Sequence, residues 1–270
     1  MKTIILGGHG FLGSALCAEA QKRGWDTIPA GRKEYPQLVG TTCDVLINAD
    51  GNSKKYLADK DAGLDFDLSV RSVAFSLRDI RAKTYVYLSS VDVYADKSNP
   101  ACNHEKSAAM PEKISCYGFH KLLAEQIVRR QAGSWLIMRL GGFVGPGLKK
   151  NSIYDMLMKQ TIRVHPDSRY QYLDVAAMAA IVFSLIESGH HKSIFNLAGE
   201  GTVSLKEIAA LLPGTPLAGA PCGNPPEHYE VNISKIKTIA AIPATRRTVE
   251  EFIKSVLSGA IKLNPQTAAR

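Results

Sequence analysis

An apolar run at residues 3–6 passes directly into Gly7-x-x-Gly10-x-x-Gly13, and apolar residues then recur at helical spacing as Leu12, Ala15, Leu16 and Ala20. A strand that turns through glycines into a helix is the arrangement a phosphate-binding βα unit needs. One glycine makes the tight turn, one lets the backbone approach a pyrophosphate, and one lets the helix pack on the strand. The first helical amides and the helix dipole then favour an anion. Glycines at this spacing also occur in purely structural turns. The position between strand and helix favours a dinucleotide site at Gly7, Gly10, Phe11, Leu12 and Gly13.

The alternation continues along the chain. Residues 26–30, 45–47, 85–88, 135–138 and 194–197 read as strands, and residues 66–80, 117–130 and 175–187 as helices. These strands are apolar without alternation, which suits a parallel sheet covered on both faces. The second half predicts shorter helices at 205–212, 233–240 and 249–257, with a proline- and glycine-rich loop at 213–226. A chain of 270 residues fits about one to two domains. The predicted fold class is α/β, a Rossmann-type doubly wound parallel sheet with a small C-terminal substrate lobe. Residues 1–147 and 172–198 form the nucleotide-binding part, 148–171 and 199–260 the lobe, and 261–270 a flexible tail.

Composition removes several alternatives. At 45% hydrophobic and 21% charged residues the chain is neither disordered nor fibrous. Its five cysteines are scattered with no C-x-x-C, which argues against a disulfide framework and suits a reducing, cytoplasmic location. No apolar run reaches the roughly 18 residues a membrane helix needs. The apolar start, broken at Gly7-Gly8-His9-Gly10, reads as a buried strand rather than a signal peptide. The net charge of +8 comes without a basic run or interleaved aromatics, so no nucleic-acid partner is expected and a small anionic one is. No metal site is expected. Cys102-x-His104 lacks further ligands at metal spacing, and the acid-rich stretch 59–67 lacks the calcium-loop pattern. Cys116 reads as buried, His120 as structural, and His190-His191 as a solvated helix end.

Two further groups of residues carry chemistry. The second strand ends in Gly31-Arg32-Lys33. An acid at that point binds a ribose 2′-hydroxyl, whereas an arginine accommodates a 2′-phosphate, so Arg32 and Lys33 favour NADP(H) over NAD(H); Glu34 keeps the other reading open. Ser89-Ser90 ends a strand, and Tyr117-x-x-x-Lys121 shares a helix face. A free tyrosine titrates near about 10. A neighbouring ammonium lowers that value, so the phenol can act as general acid or base while a serine hydroxyl holds the reacting oxygen. The same spacing recurs at Tyr56-x-x-x-Lys60, in a polar, lysine-rich stretch that precedes the serine strand. Context therefore selects Tyr117 and Lys121.

Taken in order, several motifs resemble the extended short-chain dehydrogenase/reductase family, in its nucleotide-sugar epimerase, dehydratase and reductase branch. They are Gly7-Gly-His-Gly-Phe-Leu-Gly13, Leu88-Ser-Ser-Val-Asp-Val-Tyr94, Tyr117-Gly-Phe-His-Lys121 and Arg139-Leu-Gly-Gly-Phe-Val-Gly-Pro-Gly147, with Tyr172-Leu-Asp-Val175 and Phe195-Asn-Leu-Ala198. The resemblance runs from Met1 to about Lys254. It implies that Tyr117 exchanges the proton at the reacting oxygen, Ser90 hydrogen-bonds that oxygen, and Lys121 binds the nicotinamide ribose. It also implies that Asn48 and Ala49 line the cofactor and that residues 141–147 pass near nicotinamide and substrate.

Four departures shape the expectation. The stretch before Val45 is too short for the family's next strand and helix, so one such unit is missing and the adenine pocket is altered. Ser90-Val91-Asp92 stands where dehydratases carry Thr-Asp-Glu, and valine cannot do acid chemistry. Asp92 also stands where an epimerising reductase has cysteine, so C3/C5 epimerisation is not expected. The family's substrate arginine is replaced by Ser168, with Arg169 one residue along, and the segment 148–165 is short. Asp92, Gly142, Lys149 and Arg169 are the candidate substrate contacts. The expected activity is NADP(H)-dependent reduction of a keto group on a small anionic substrate, a nucleotide-linked sugar, using a Ser-Tyr-Lys triad. The alternatives are an NAD-dependent sugar-nucleotide 4-epimerase and a catalytically silent dinucleotide-binding regulator or assembly subunit. A homodimer is implied, built from the Tyr117 helix and the helix before Tyr85.

Overall fold

The computed structural model describes residues 1–162, 164–212 and 225–263. The first half runs β1 (Lys2–Leu6), α1 (Phe11–Lys22), β2 (Asp26–Ala30), β3 (Thr42–Asn48), α2 (Lys55–Lys60), α3 (Ala62–Phe66), α4 (Ser72–Asp79), β4 (Arg81–Ser90), α5 (Cys116–Gln131) and β5 (Trp135–Leu140). The second runs β6 (Gly142–Val144), α6 (Ser152–Leu157), β7 (Arg169–Tyr170), β8 (Tyr172–Asp174), α7 (Val175–Glu187), β9 (Ser193–Leu197), β10 (Val203–Ser204), α8 (Leu205–Ala209), α9 (Ser234–Lys237) and α10 (Thr245–Leu257).

Six strands form one parallel sheet in the order β2-β1-β3-β4-β5-β9. Successive strand residues point to opposite faces. Ile5, Val45, Ile47, Val86 and Met138 pack under α1 and α7, while Ile4, Leu46, Tyr85, Tyr87 and Ile137 pack under α4 and α5. Burial on both faces is why these strands lack a polar alternation. The chain leaves β2 at one edge and enters β3 on the far side of β1, with only a 3-10 turn at Tyr35–Leu38 between them. The missing strand–helix unit is thus real, and β2 is the sheet edge.

Several expected boundaries move. The helix read at 66–80 is α3 and α4 joined without a break by a π-helical segment, Asp67–Arg71. The helix at 205–212 stops at Ala209, and that at 233–240 shrinks to Ser234–Lys237. Most of the 213–226 loop and of the tail lies outside the described residues. Beyond the sheet, Val144, Ile153, Tyr154, Leu205, Ile208, Val249 and Phe252 close a separate small core. Two short strand pairs, β6 with β8 and β7 with β10, tie that core to the sheet's C-terminal side. Among the described residues, no helix is long and apolar enough to cross a membrane.

Candidate active site

The glycine turn behaves as a cradle. Gly7 adopts a φ of 71°, a region that favours glycine. A Cβ there would lie 2.8 Å from the Ala49 carbonyl oxygen, and one on Gly13 would lie 2.0 Å from the Gly7 oxygen. Backbone therefore meets backbone at this point, and a side chain would fill the cradle. Gly10 caps α1 with no side-chain hydrogen bond, so the opening amides at Phe11, Leu12 and Gly13 are offered to an anion. These residues fit the pyrophosphate of a dinucleotide.

Next to the cradle, β2 delivers Arg32 and Lys33 to solvent. Glu34 folds back, accepting the Gly31 amide at 2.8 Å and lying 3.7 Å from His9. The Gly31 amide in particular holds the Glu34 carboxyl below the usual range. Asn48 sits differently from a cofactor-lining side chain. It is buried, donates to the Tyr85 hydroxyl at 2.8 Å and accepts the Asp50 amide at 3.1 Å, so it braces the turn from inside. Ala49 meets the cradle through its backbone.

The end of β4 and the start of α5 bring the three candidate catalytic residues, Ser90, Tyr117 and Lys121, to one place. Ser89 and Ser90 face opposite ways: Ser89 Oγ donates to Glu125 at 2.6 Å, and Ser90 Oγ to Asp92 Oδ2 at 3.0 Å. Ser115 caps α5 by accepting the Gly118 amide, and Tyr117, Lys121 and Glu125 follow as one buried stripe at helical spacing. Glu125 also takes the Arg139 guanidinium, at 3.0 and 2.7 Å, which locks α5 to β5. Gly118 permits the close approach of α5 to the Ser90 turn, since a Cβ there would lie 2.1 Å from the Asp92 carbonyl. Lys121 Nζ lies 3.5 Å from the Leu88 carbonyl and 5.8 Å from the centre of the Tyr117 ring. Burial pulls the Lys121 pKa down to about 8, opposed by the Asp65, Asp50 and Glu125 carboxylates. Burial raises the Tyr117 phenol well above its ordinary value and the Asp92 charge adds to this, while Lys55 and a Ser90 hydrogen bond oppose it.

Lys55 carries no motif signal, yet it is central here. Its ammonium lies 2.9 and 2.8 Å from the two Asp92 oxygens. Tyr229, from the segment that hydrogen-bonds Arg169, donates to Asp92 Oδ1 at 3.0 Å and lies 3.1 Å from Lys55 Nζ. Asp92 is therefore a junction between the Ser90 turn, the start of α2 and the Tyr229 segment. The neighbouring Tyr56 is exposed, in keeping with its rejection on context.

The other candidate substrate residues take different places. The Arg169 main chain holds the Tyr229 segment, with Arg169 N donating to Glu227 O at 2.8 Å and Tyr229 N to Arg169 O at 2.9 Å. The Arg169 guanidinium is engaged by Glu207 at 3.2 Å and Thr202 at 3.1 Å, so this arginine supports the lobe. Gly142 lies in β6, and a Cβ there would come 2.7 Å from the Gln171 oxygen, so its glycine serves strand packing. Lys149 is exposed, and it is Lys150 that reaches Ser53 Oγ, at 2.9 Å. Lys150 is exposed overall, but local desolvation of its ammonium lowers its pKa to about 8, with help from the nearby Lys54 and Lys55 charges. Lys54 and Lys150 thus stand close to the Lys55–Asp92 pair.

The sequence profile of the NAD dependent epimerase/dehydratase family matches residues 3–198. The chain belongs to that family. As a member it is an enzyme that works with a nicotinamide dinucleotide, on the Rossmann fold described above. No curated protein sequence matches it. Solved structures with the same fold include a UDP-galactose 4-epimerase, at 19% identity and a TM-score of 0.75 over 96% of this chain and 99% of that one. A dTDP-4-dehydrorhamnose reductase from Bacillus anthracis in complex with NADP gives 18% identity and a TM-score of 0.75, over 94% of this chain and 98% of that one. MoeE5 in complex with UDP-glucose and NAD gives 16% and 0.76, over 95% of this chain and 100% of that one.

Proposed function

We propose that this family member is an NADP(H)-dependent oxidoreductase that reduces a keto group on a small anionic substrate, a nucleotide-linked sugar. The observation that carries the proposal is that the glycine cradle and the Ser90, Tyr117 and Lys121 side chains lie together at the C-terminal end of one parallel sheet. Ligands of open α/β sheets bind at that end. Gly7, Gly10, Phe11, Leu12 and Gly13 would hold the pyrophosphate, and the bound nicotinamide supplies the hydride. Tyr117 gives its proton to the developing alkoxide, and Ser90 donates a hydrogen bond to the same oxygen. The buried Lys121 ammonium stabilises negative charge on the phenol side of that transfer. Lys54, Lys55 and Lys150 supply positive charge where an anionic substrate enters.

Arg32 and Lys33 support NADP(H), because Glu34 is already engaged by the Gly31 amide. The 4-epimerase among the structural neighbours keeps a second reading in view. The intact triad speaks against a catalytically silent regulator or assembly subunit. Exposed Phe66, Phe75 and Phe119, on α3, α4 and α5, support a homodimer built on that face. The deciding experiment identifies any nucleotide released from the purified protein and then titrates NADPH and NADH. An empty protein that prefers NADPH about tenfold or more, with the preference lost in an Arg32→Ala/Lys33→Ala double variant, supports the reductase. Tightly retained NAD⁺ overturns it in favour of the epimerase.

A further inference from the structure

Behind Lys121, three groups that the proposed reaction does not use come together. Cys116 and His120 lie one turn apart on α5, and Asp65 reaches them from α3. Among the described residues, this trio forms a set in which one sulfur, one ring nitrogen and one carboxylate oxygen all lie within 4.8 Å of one another. Asp65 Oδ2 is 2.6 Å from His120 Nδ1, and Cys116 Sγ is 3.8 Å from Nε2 and 4.0 Å from Nδ1.

The surroundings of the trio are ordered. Asp65 is fully buried, and its other oxygen accepts from Asn52 Nδ2 at 2.7 Å and Ser69 Oγ at 3.4 Å. That fixes the carboxylate in the way outer-shell donors fix a metal-binding carboxylate. Phe66 and Phe119 flank the His120 ring, with centroids 5.5 and 6.0 Å away. Cys116 is half-buried, the least buried of the three.

We propose that Asp65, Cys116 and His120 form a binding site for one thiophilic divalent cation of the zinc class. Sulfur, imidazole and carboxylate together are the donor set that suits zinc. Four-coordinate zinc with bonds of about 2.0–2.3 Å requires its ligand atoms roughly 3.3–3.8 Å apart. The trio already spans 2.6 to 4.0 Å on its histidine edges, so side-chain adjustment alone brings it to that spacing. A buried Asp–His pair serving packing alone explains two of the residues; it gives no reason for a thiol one turn before the histidine, facing the same ring. Three protein ligands leave the fourth position to water.

The test does not depend on the reaction proposed above. Chelator-treated full-length protein is titrated with Co²⁺ and followed by absorbance and metal content. The expected result is one Co²⁺ per chain, with a thiolate-to-cobalt charge-transfer band and the visible bands of a tetrahedral ion, all displaced by Zn²⁺. Cys116→Ser should remove the charge-transfer band, and His120→Gln should weaken binding about tenfold or more. Cys102→Ser should change neither. Cys116 is half-buried, so its serine variant tests the idea even if His120→Gln fails to fold. No stoichiometric binding by the folded wild type overturns the proposal, and so does a band that survives Cys116→Ser.

Discussion

The Tyr117 phenol is buried beside the Asp92 carboxylate, and both influences keep it protonated. A protonated phenol is what a reductase needs at the moment an alkoxide forms. Tyr117→Phe should lower turnover by about 10²–10⁴-fold and leave NADPH binding unchanged, as read by steady-state kinetics and fluorescence titration. Lys121 titrates in an accessible range. Its ammonium is lost as pH rises through about 8, so reduction should decline over that range in wild type. Its folded pKa lies below the ordinary lysine value of about 10.4, so between these values the unfolded chain binds more protons. Folding stability should therefore rise from pH 8 toward pH 10.4 in wild type relative to Lys121→Met. Denaturant titrations of both proteins across that window check it, and a constant difference would show that Lys121 is not desolvated. Ser90, Tyr117 and Lys121 were readable as candidates because they sit at fixed spacing on one helix and one strand end. Lys55 was not, since its link to Asp92 spans 37 positions with no local period.

Gly13 and Gly118 are among the points where the elements fit only because the residue is glycine. At Gly13, α1 rests on the turn after β1, and at Gly118, α5 rests on the turn after β4. Gly118→Ala forces its new methyl against the Asp92 carbonyl, separating Ser90 from Tyr117. Overpacking of this kind costs about 1–3 kcal/mol, and a shift of about 1 Å at the site costs on the order of 100-fold in rate. Thermal melts and kinetics on one preparation should show both effects together. The glycine cradle was legible from its position between a strand and a helix. Gly118 was not, because the backbone it meets comes from a different element. The π-helical segment between α3 and α4 was hidden for a related reason: its residues carry a helical pattern, and the local widening places Ser69 on Asp65.

Across the whole molecule, Asp92 joins the Ser90 turn to the distant 227–231 segment through Tyr229. Tyr229→Phe removes one hydrogen bond to a buried carboxylate, worth about 1.5–3 kcal/mol. The lobe segment should loosen, raising KM for the substrate with little change in kcat; an unchanged KM would place Tyr229 outside substrate capture. The strand order explains the chain's economy. Among the described residues no strand lies outside β2, and Arg32 and Lys33 stand at that sheet edge. Glycine spacing, apolar periods and the Tyr–Lys interval are properties of residues within one or two turns of each other, and they were enough to establish the α/β sheet and the shortened first half and to single out Ser90, Tyr117 and Lys121 as candidates. The Lys55–Asp92–Tyr229 junction, the inward turn of Asn48, the support role of Arg169 and the Asp65–Cys116–His120 cluster arise from side chains that meet only after the sheet has closed. Such contacts depend on packing between distant segments, and a linear sequence carries no period for them.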